Sequence, residues 1–442
     1  MANLPRHCEE QSDEASQKTV EPRLRFPEFR GEEGWEMRIL GEQGEFLSSL
    51  TGKSAQHFGV GSAKFITYMN VFSNTFTDMT SLGTVDIAED ESQNTVACGD
   101  ILFTVSSETP EEAGMSSVVL QEISNCYLNS FCTLFRFAKE KRPNPHFLGY
   151  LMRQPLVRSY FGERAQGSTR FNLSKTVFRE LSFAVPTTAE QQKIADCLTS
   201  LDEVIAAQGQ KVETLKTYKR GLMQQLFPRE GETIPRLRFP EFHDAPEWEE
   251  VPLGELFDTK SGGTPDRAKK EYWSGSIPWV TTSLVDFNII TNAEEFISKS
   301  GLENSSAKIF PRNTILIAMY GQGKTRGKIA LLGISATTNQ ACAAILPRSD
   351  IAPFFVFTNL CGRYDEIRAL SNSGGQENLS QDLIRQLPFR YPKDTEEQSK
   401  IADCLSTIDS RITAESEKFD ALKTHKKSLM QQLFPTLNLE NS

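Results

Sequence analysis

Apolar residues recur at heptad-like spacing in two long stretches of the chain, residues 190–228 and 397–435. In the first stretch the apolar positions are Ile194, Leu198, Leu201, Ile205, Val212, Leu215, Leu222 and Leu226. In the second stretch they are Ile401, Leu405, Ile408, Ile412, Phe419, Leu422, Leu429 and Leu433. Steps of three, four or seven residues place these side chains on one narrow stripe of an α-helix, as in a coiled coil. The pattern predicts two long helices that bury their stripes against each other.

The two stretches are copies of one sequence, separated by a constant offset of 207 residues without a gap. Flanking segments are duplicated as well. The sequence RLRFPEF occurs at residues 23–29 and 236–242, and Asn-Leu-Ser precedes each long stretch at residues 172–174 and 378–380. A repeat of this kind predicts that a globular unit followed by a long helix occurs twice.

Between the repeated segments, short apolar runs bounded by turn residues predict strands. In the first half the predicted strands are residues 65–68, 101–105, 117–120, 131–137 and 181–186, and the predicted helices are 145–153 and 155–160, closed by Gly162. In the second half the predicted strands are residues 277–281, 314–318, 329–332, 341–346 and 387–392, and the predicted helix is 353–368. The predicted fold class is α/β (α+β), with two mixed units joined by two long helices.

These patterns divide the chain into seven segments. In order they are an acidic disordered tail (1–21), a first globular unit (22–186), a first long helix (187–228), a linker arm (229–250), a second globular unit (251–392), a second long helix (393–435) and a short tail (436–442). The 442 residues, 38% of them hydrophobic, are enough for two separate cores. No apolar run is long enough to span a membrane, the N-terminus does not resemble a signal peptide, and the cysteines form no C-x-x-C pair. We therefore expect a cytoplasmic protein.

The net charge of −10 argues at first against a nucleic-acid partner. The acidic residues are concentrated, however: residues 1–36 and 229–250 each carry a net charge of −4. The two globular units are close to neutral and could still present a basic face to a polyanion.

Several loops combine cations, amides and aromatic residues, which are the side chains that contact phosphates and bases. In the first unit the candidates are Lys53, Lys64, Tyr68, Asn70, Arg164, Gln166, Ser168 and Arg170. In the second unit they are Lys260, Arg267, Lys269, Lys270, Tyr272, Tyr320, Gln322, Lys324, Arg326, Lys328 and Gln376. The alternative is that the loops are merely solvated and that the aromatic residues Tyr272, Trp273 and Trp279 belong to the core. Residues 320–325 are not a phosphate loop, because Ala318 stands where that motif needs glycine.

No catalytic motif stands out. The five histidines show no metal-ligand spacing, and there is no methyltransferase motif, glycine-rich cofactor loop or nuclease-like acidic cluster. We therefore expect neither a metal nor a cofactor in this chain, and no catalysis of its own.

Two divergent units, each followed by a near-identical helix with the pattern EQxKIADCL…LMQQLFP and introduced by RLRFPEF, resemble the specificity subunit of type I restriction–modification enzymes. The resemblance extends from about residue 22 to residue 435, and the acidic residues 1–21 have no echo in the second half. It implies that each unit is a target recognition domain for one half of a bipartite DNA sequence. It also implies that the helices form an antiparallel coiled coil that sets the spacer, with a pseudo-twofold internal repeat.

The resemblance further implies double-stranded DNA, two modification (methyltransferase) subunits and restriction/translocase subunits as partners. S-adenosylmethionine, ATP and Mg²⁺ would then act in those partners. Helix geometry agrees with a spacer role, since about 38 residues rising about 1.5 Å each span about 57 Å. The alternatives are a self-contained nuclease or methyltransferase, and a coiled-coil protein scaffold that does not bind DNA.

Overall fold

The computed structural model describes residues 19–321, 324–370 and 379–436. The chain divides into two compact units. Unit 1 contains the residues up to Ala207 together with those from Phe419 onward, and unit 2 is Gln208–Lys418. The predicted segments separate the long helices and the linker arm from the globular units. In the structure each long helix instead contributes part of its length to each unit, and residues 229–250 belong to unit 2.

Unit 1 contains twelve described strands around a mixed core. They are β1 (Thr19–Val20), β2 (Trp35–Ile39), β3 (Gly44–Leu47), β4 (Phe58–Ile66), β5 (Leu82–Val85), β6 (Ile101–Thr104), β7 (Ser106–Ser107), β8 (Ser116–Val118), β9 (Cys126–Leu128), β10 (Cys132–Phe137), β11 (Phe171–Asn172) and β12 (Ser182–Val185). Its shorter α-helices are α1 (Tyr68–Ser73), α2 (Pro145–Arg153), α3 (Pro155–Arg164) and α4 (Lys175–Arg179), and the long helix α5 (Thr188–Leu226) begins in this unit.

Unit 2 has the same kind of composition. Its described strands are β13 (Glu249–Pro252), β14 (Thr259–Ser261), β15 (Ile277–Val280), β16 (Asn288–Ile290), β17 (Glu295–Ile297), β18 (Ile309–Phe310), β19 (Ile315–Ala318), β20 (Ile329–Leu332), β21 (Ala336–Thr338), β22 (Cys342–Ile345) and β23 (Pro388–Tyr391). Its α-helices are α6 (Leu253–Leu256), α7 (Lys299–Glu303), α8 (Pro353–Gly362), α9 (Tyr364–Ala369) and α10 (Gln381–Gln386), followed by the long helix α11 (Thr395–Leu433).

The sheets of the two units repeat one topology. The central antiparallel sheet has the order β3-β10-β6-β8 in unit 1, and unit 2 has β14-β22-β19-β20, extended by β16. A second sheet places β4 between antiparallel β5 and parallel β9, and in unit 2 β15 lies in the same way between β17 and β21. The strands at the two ends of each unit also pair, β2 with β12 and β13 with β23. The predicted mixed α/β class and the internal repeat are therefore confirmed.

Each core is built around a tryptophan that follows the RLRFPEF segment. Trp35 is fully buried, and its ring lies 5.8 Å from that of Phe147 on α2 and 6.1 Å from that of Phe434. Trp248 occupies the same place in unit 2, with its ring 5.6 Å from that of Phe355. Phe147 and Phe355, which lie outside the repeated segments, thus pack against the tryptophan that follows each of those segments.

The RLRFPEF segments attach to the long helices through a buried ion pair. In unit 1 the Arg25 guanidinium donates to both carboxylate oxygens of Glu190 on α5, at 3.0 and 2.8 Å, and both side chains are buried. In unit 2 Arg238 donates to both oxygens of Glu397 on α11, at 2.8 Å each. These pairs explain why the arginine and the glutamate are duplicated together.

The long helices contain 39 residues each, and within each unit ion pairs join one to the other. In unit 1 the Lys426 amine lies 2.5 Å from the Asp202 carboxylate. In unit 2 the Lys219 amine lies 2.5 Å from Asp409, and Lys211 pairs with Glu415. In unit 2 the later of the two lysines on α5, Lys219, pairs with the earlier of the two acidic residues on α11, Asp409. The two helices therefore run in opposite directions within this unit. All sixteen apolar stripe residues are buried or half-buried. Among the described residues, no helix combines the length and the apolar content needed to cross a membrane.

Two predicted elements of unit 1 need correction. The strand predicted at residues 65–68 ends at Ile66, because the Thr67 side chain accepts a hydrogen bond from the Asn70 amide and thereby caps α1, which begins at Tyr68. The helix predicted to close at Gly162 continues to Arg164. Burial of its apolar face outweighs the low helix propensity of one glycine, about 1 kcal/mol.

Two further predictions are wrong in part. The helix predicted at residues 353–368 is two helices, because Gly362 is a poor helix former and Arg363 leaves helical geometry, with φ −107° and ψ 21°. The acidic tail predicted to be disordered through residue 21 forms a strand at its end, where Thr19 and Val20 pair with β2. Residues 1–18 lie outside the described part of the chain.

Candidate nucleic-acid interface

A tight hairpin between α3 and β11 presents part of the predicted loop of unit 1. The backbones of Gln166 and Asn172 exchange hydrogen bonds of 3.0 and 2.8 Å. Gly167 closes the turn, since a Cβ there would lie 1.8 Å from the Arg170 carbonyl oxygen. Gln166, Ser168 and Arg170 are exposed, and no partner for their side chains is found within the described residues. The hairpin therefore displays an amide, a hydroxyl and a guanidinium that are free to bind a ligand.

Arg164, at the base of this hairpin, is partly engaged. Its guanidinium lies 4.1 Å from the ring centroid of Tyr160, and the Glu163 carboxylate is 3.7 Å away. Stacking on an aromatic ring fixes the guanidinium plane and leaves its edge available for hydrogen bonds.

Tyr68 and the hairpin both contact strand β7. Its hydroxyl donates to the Ser106 carbonyl at 2.8 Å, and Ser106 on β7 pairs with Asn172 of β11. Partial burial raises the pKa of Tyr68, so its hydroxyl remains a neutral donor. Tyr68 and the hairpin therefore lie on two sides of β7.

Asn70 has a role inside the fold. It is buried, its amide donates to the carbonyls of Asp78 and Ser81, and its side-chain oxygen accepts from the Asp78 backbone N–H. These bonds use both amide hydrogens, so the predicted contact with a base is not available to this side chain.

The two predicted lysines of unit 1 differ in availability. Lys53 pairs with Glu91, and only 8% of its side chain is exposed. The ion pair with Lys53 is the main reason that the pKa of Glu91 falls to about 2. Lys64 is exposed on β4 and has no partner among the described residues, so it can contact a phosphate.

In unit 2 the predicted segment 260–272 forms a stack of cations on aromatic rings. The Arg267 guanidinium lies 3.7 Å from the ring centroid of Trp273 and 4.7 Å from that of Trp279, and it also pairs with Glu295. The Lys269 amine donates to the Tyr272 hydroxyl at 3.1 Å, and this bond raises the pKa of Lys269. Tyr272 and Trp279 are buried, as the alternative interpretation of these aromatic residues predicts.

Two lysines of this region remain exposed. Lys260 on β14 and Lys270 beside the stack have no side-chain partner in the part of the chain that the structure describes. They are the candidates for phosphate contact here, whereas Arg267 and Lys269 are partly neutralised or engaged.

The second predicted loop of unit 2 connects β19 to β20. Tyr320 and Lys324 are exposed there. Lys328 pairs with Asp286 at 2.6 Å, and Arg326 donates to the Arg368 carbonyl at 3.4 Å. Gln322 and Gln376 lie outside the described residues. This loop therefore offers one aromatic residue and one lysine, while its other described cations are engaged.

Sequence reasoning missed two exposed apolar residues close to the hairpin of unit 1. Met69 is 59% exposed beside Tyr68, and Phe131 is 54% exposed with its carbonyl bonded to Val105, next to β7. Exposed apolar side chains beside free polar groups are suited to pack on sugars or on a thymine methyl group. No local signal marks them, because their exposure depends on strand pairing.

The chain matches a family model and several known proteins. The model, described as the type I restriction modification DNA specificity domain, matches residues 32–217 and 246–424. A putative type I restriction enzyme MjaX specificity subunit from Methanocaldococcus jannaschii is 26% identical over 412 residues, which cover 91% of this chain and 93% of the relative. The EcoR124I/EcoR124II specificity subunit of Escherichia coli is 28% identical over 170 residues, or 37% of this chain and 42% of the relative.

A solved structure supports the fold at low sequence identity. The type I restriction–modification S subunit from M. genitalium superposes with a TM-score of 0.56 at 16% identity, over 95% of this chain and all of that one. The family model matches both halves of the repeat and most of the chain. The protein belongs to the family of type I restriction–modification DNA specificity subunits, which give an enzyme complex its sequence specificity without being catalytic themselves.

Proposed function

We propose that each unit recognises one half of a two-part DNA target. The observation that carries this proposal is a shared scaffold with different chemistry at equivalent positions. The second residue after the central strand of the second sheet is Tyr68 after β4 in unit 1 and Thr282 after β15 in unit 2. The loop after β6 is acidic at residues 108–112, whereas the loop after β19 is rich in glycine and cations. Two copies of one fold with different displayed groups fit two different short sequences.

In unit 1 we assign base contact to the hairpin at residues 166–170. A glutamine amide can both donate to and accept from adenine, and an arginine can bind guanine or a phosphate. Lys64 and Arg164 supply positive charge for the backbone. The supporting observations are the exposure of these groups and the absence of partners for Gln166 and Arg170 within the described residues.

Replacing Arg170 by alanine is expected to weaken DNA binding by the assembled complex. If Arg170 contacts a phosphate, the slope of log K against log salt falls by about 1, and affinity drops equally for all sequences. If it reads a guanine, affinity falls by about 1–3 kcal/mol only for the cognate base at one position. Titration of labelled duplexes at several salt concentrations separates the two results.

Lys139→Ala is the matched control for this experiment. Lys139 is exposed and lies beyond the end of β10, whereas the start of that strand pairs with Thr104 near the hairpin. Six strand residues correspond to about 20 Å. Equal losses for the two variants would contradict the assignment of the hairpin as the contact surface.

We further propose that α5 and α11 form an antiparallel coiled coil with a pseudo-twofold relation between the two halves. The ion pairs support it: the repeat counterparts of Asp202 and Lys426, which lie 207 residues later and 207 residues earlier, are Asp409 and Lys219, and these two residues also pair. A seam of this kind would set the number of unread base pairs between the half-sites. It would also present similar faces to two identical partners.

The partners proposed here are two modification (methyltransferase) subunits, together with restriction/translocase subunits in the full complex. Chemistry would reside in them, with S-adenosylmethionine for methylation and ATP and Mg²⁺ for translocation and cleavage. This chain would supply recognition and assembly in the cytoplasm. Its membership of the specificity family and the two-unit architecture support this division of labour.

Exchange of residues 37–186 for the corresponding part of another family member tests the proposal. The hybrid complex is expected to methylate a target in which one half-site is new and the other half-site is unchanged, because the second unit is untouched. Base-resolution mapping of modified adenines in cells that carry the complete system gives the answer. An unchanged target, or two changed half-sites, would refute the assignment of one half-site to each unit.

A further inference from the structure

A groove in unit 1 lies where the two long helices meet α2 and α3. Its volume is about 660 Å³. The helical wall consists of Asp202, Ile205, Lys423, Lys426, Lys427 and Met430. Across from it stand Arg153, Pro155 and Arg158. The groove therefore combines apolar side chains with a cationic rim.

Unit 2 contains a groove at the corresponding place, beside α8 and α9, with a volume of about 1290 Å³. Its helical wall includes Asp409, Ile412, Lys216, Lys219, Arg220 and Met223. Each of these residues is the repeat counterpart of a wall residue in unit 1, and all are identical except for arginine in place of Lys427. The helical walls of the two grooves are therefore nearly identical in sequence.

The opposite walls have diverged. Arg153 and Arg158 in unit 1 donate to backbone carbonyls, and burial lowers the pKa of each to about 10. In unit 2 the corresponding wall carries the ion pair Arg363–Glu366. A ligand common to both grooves would be recognised by the helical walls, because only these are alike.

The chemistry of the shared wall points to a protein ligand. Ile205 and Met430 form an apolar floor, and Lys426 is already paired with Asp202 and lies 5.1 Å from the ring centroid of Tyr150. Lys427 is exposed, and among the described residues its side chain has no partner. A DNA phosphate would gain little from a concave apolar floor. An apolar side chain flanked by carboxylates matches both the floor and the rim.

We propose that each groove seats one acidic, apolar-tipped segment of a partner protein, and that the two grooves take identical segments from two copies of that partner. The proposal rests on the proposed function, with the modification subunits as the partner. It adds the place of docking, the charge of the docked segment and the independence of the two sites. Arg220, the counterpart of Lys427, is likewise exposed without a partner in the described chain.

Charge reversal at one groove tests the proposal. The full chain is mixed with modification subunits, and native mass spectrometry counts the subunits bound. Lys427→Glu is expected to weaken one of two binding events at least tenfold, so that complexes with a single modification subunit predominate. Arg220→Glu is expected to do the same at the other groove, and the double variant is expected to bind neither. Lys427→Arg keeps the charge and should retain both subunits.

Lys418→Glu is the matched control, since Lys418 is exposed on α11 but lies about two and a half turns from Lys427, on the opposite face. Retention of two subunits by Lys427→Glu and Arg220→Glu would overturn the inference, and so would loss of DNA affinity with assembly intact. Failure of the unaltered chain to bind modification subunits at all would instead refute the proposed function. Unchanged helical circular dichroism shows that the variants fold.

Discussion

Replacing Glu190 by alanine is expected to destabilise unit 1 by about 3–5 kcal/mol, because the buried guanidinium of Arg25 is then left without a carboxylate to pair with. Only 8% of Arg25 and 1% of Glu190 are exposed, and two hydrogen bonds join their side chains. The remaining bonds of Arg25 go to the carbonyls of Glu32 and Glu33, which carry no net charge. Their dipoles alone do not replace the lost carboxylate.

Hydrogen exchange measures this loss better than a single melting curve does, because a chain with two cores need not unfold in one step. The slowest amides of unit 1 are expected to lose about two to four orders of magnitude of protection. Amides of the unit 2 core should change little.

The exposed pair between Lys193 and Glu28 provides the control for this prediction. Its atoms are 2.9 Å apart, but both side chains are about half exposed and the pair is screened by solvent, so Glu28→Ala should cost far less stability than Glu190→Ala. Replacing Arg25 and Glu190 together by methionine and leucine should recover most of the stability, because no charge is then left buried. A loss for Glu190→Ala no larger than that for Glu28→Ala would show that the ion pair does not hold the segment in place.

The long helices could be predicted closely because their signal is local. The heptad pattern predicts helices from residues 190 and 397, and the observed helices begin at Thr188 and Thr395. Each helix ends shortly before a proline, which cannot continue it. Duplication adds a second, independent copy of the same signal.

Strands are harder to predict because their pairing is not local. The three residues of β9 do not stand out in the sequence, yet β9 is the parallel neighbour of β4, some sixty residues earlier. The error at Tyr68 arose from apolar composition, whereas the Thr67 cap decided the structure. A short strand such as β9 depends on contacts that no local window of sequence contains, whereas the Thr67 cap joins residues only three apart and is local.

The same distinction applies to the candidate interface. The hairpin at residues 166–170 could be recognised from its own small and polar residues, and it is exposed. Lys53 looks equally available in the sequence, but its partner Glu91 lies 38 residues away. Asn70 is likewise engaged by carbonyls eight and eleven residues further on. Composition predicts which loops carry contact chemistry, while the fold determines which side chains remain free.

Insertion of one heptad into each long helix is expected to lengthen the unread spacer of the DNA target and to leave both half-sites unchanged. The insertions follow Ala207 and Lys418, where the chain passes between its compact units. Seven residues preserve the apolar stripe of a coiled coil and add about 10.5 Å. At about 3.4 Å per base pair this is roughly three base pairs. Modified sites in the genome would show the shift directly.

A two-residue insertion at the same points distinguishes a change of spacing from simple damage. Two residues rotate the following stripe residues by about 200°, to the opposite face of the helix, so this variant is expected to lose ordered pairing and most modification activity. The heptad variant should keep activity at a reduced level, because roughly three base pairs also turn the duplex by about a third of a turn and twisting it back costs energy. A heptad variant that methylates sites with the original spacer would contradict the proposal that the helices set the distance, even if both half-sites were retained.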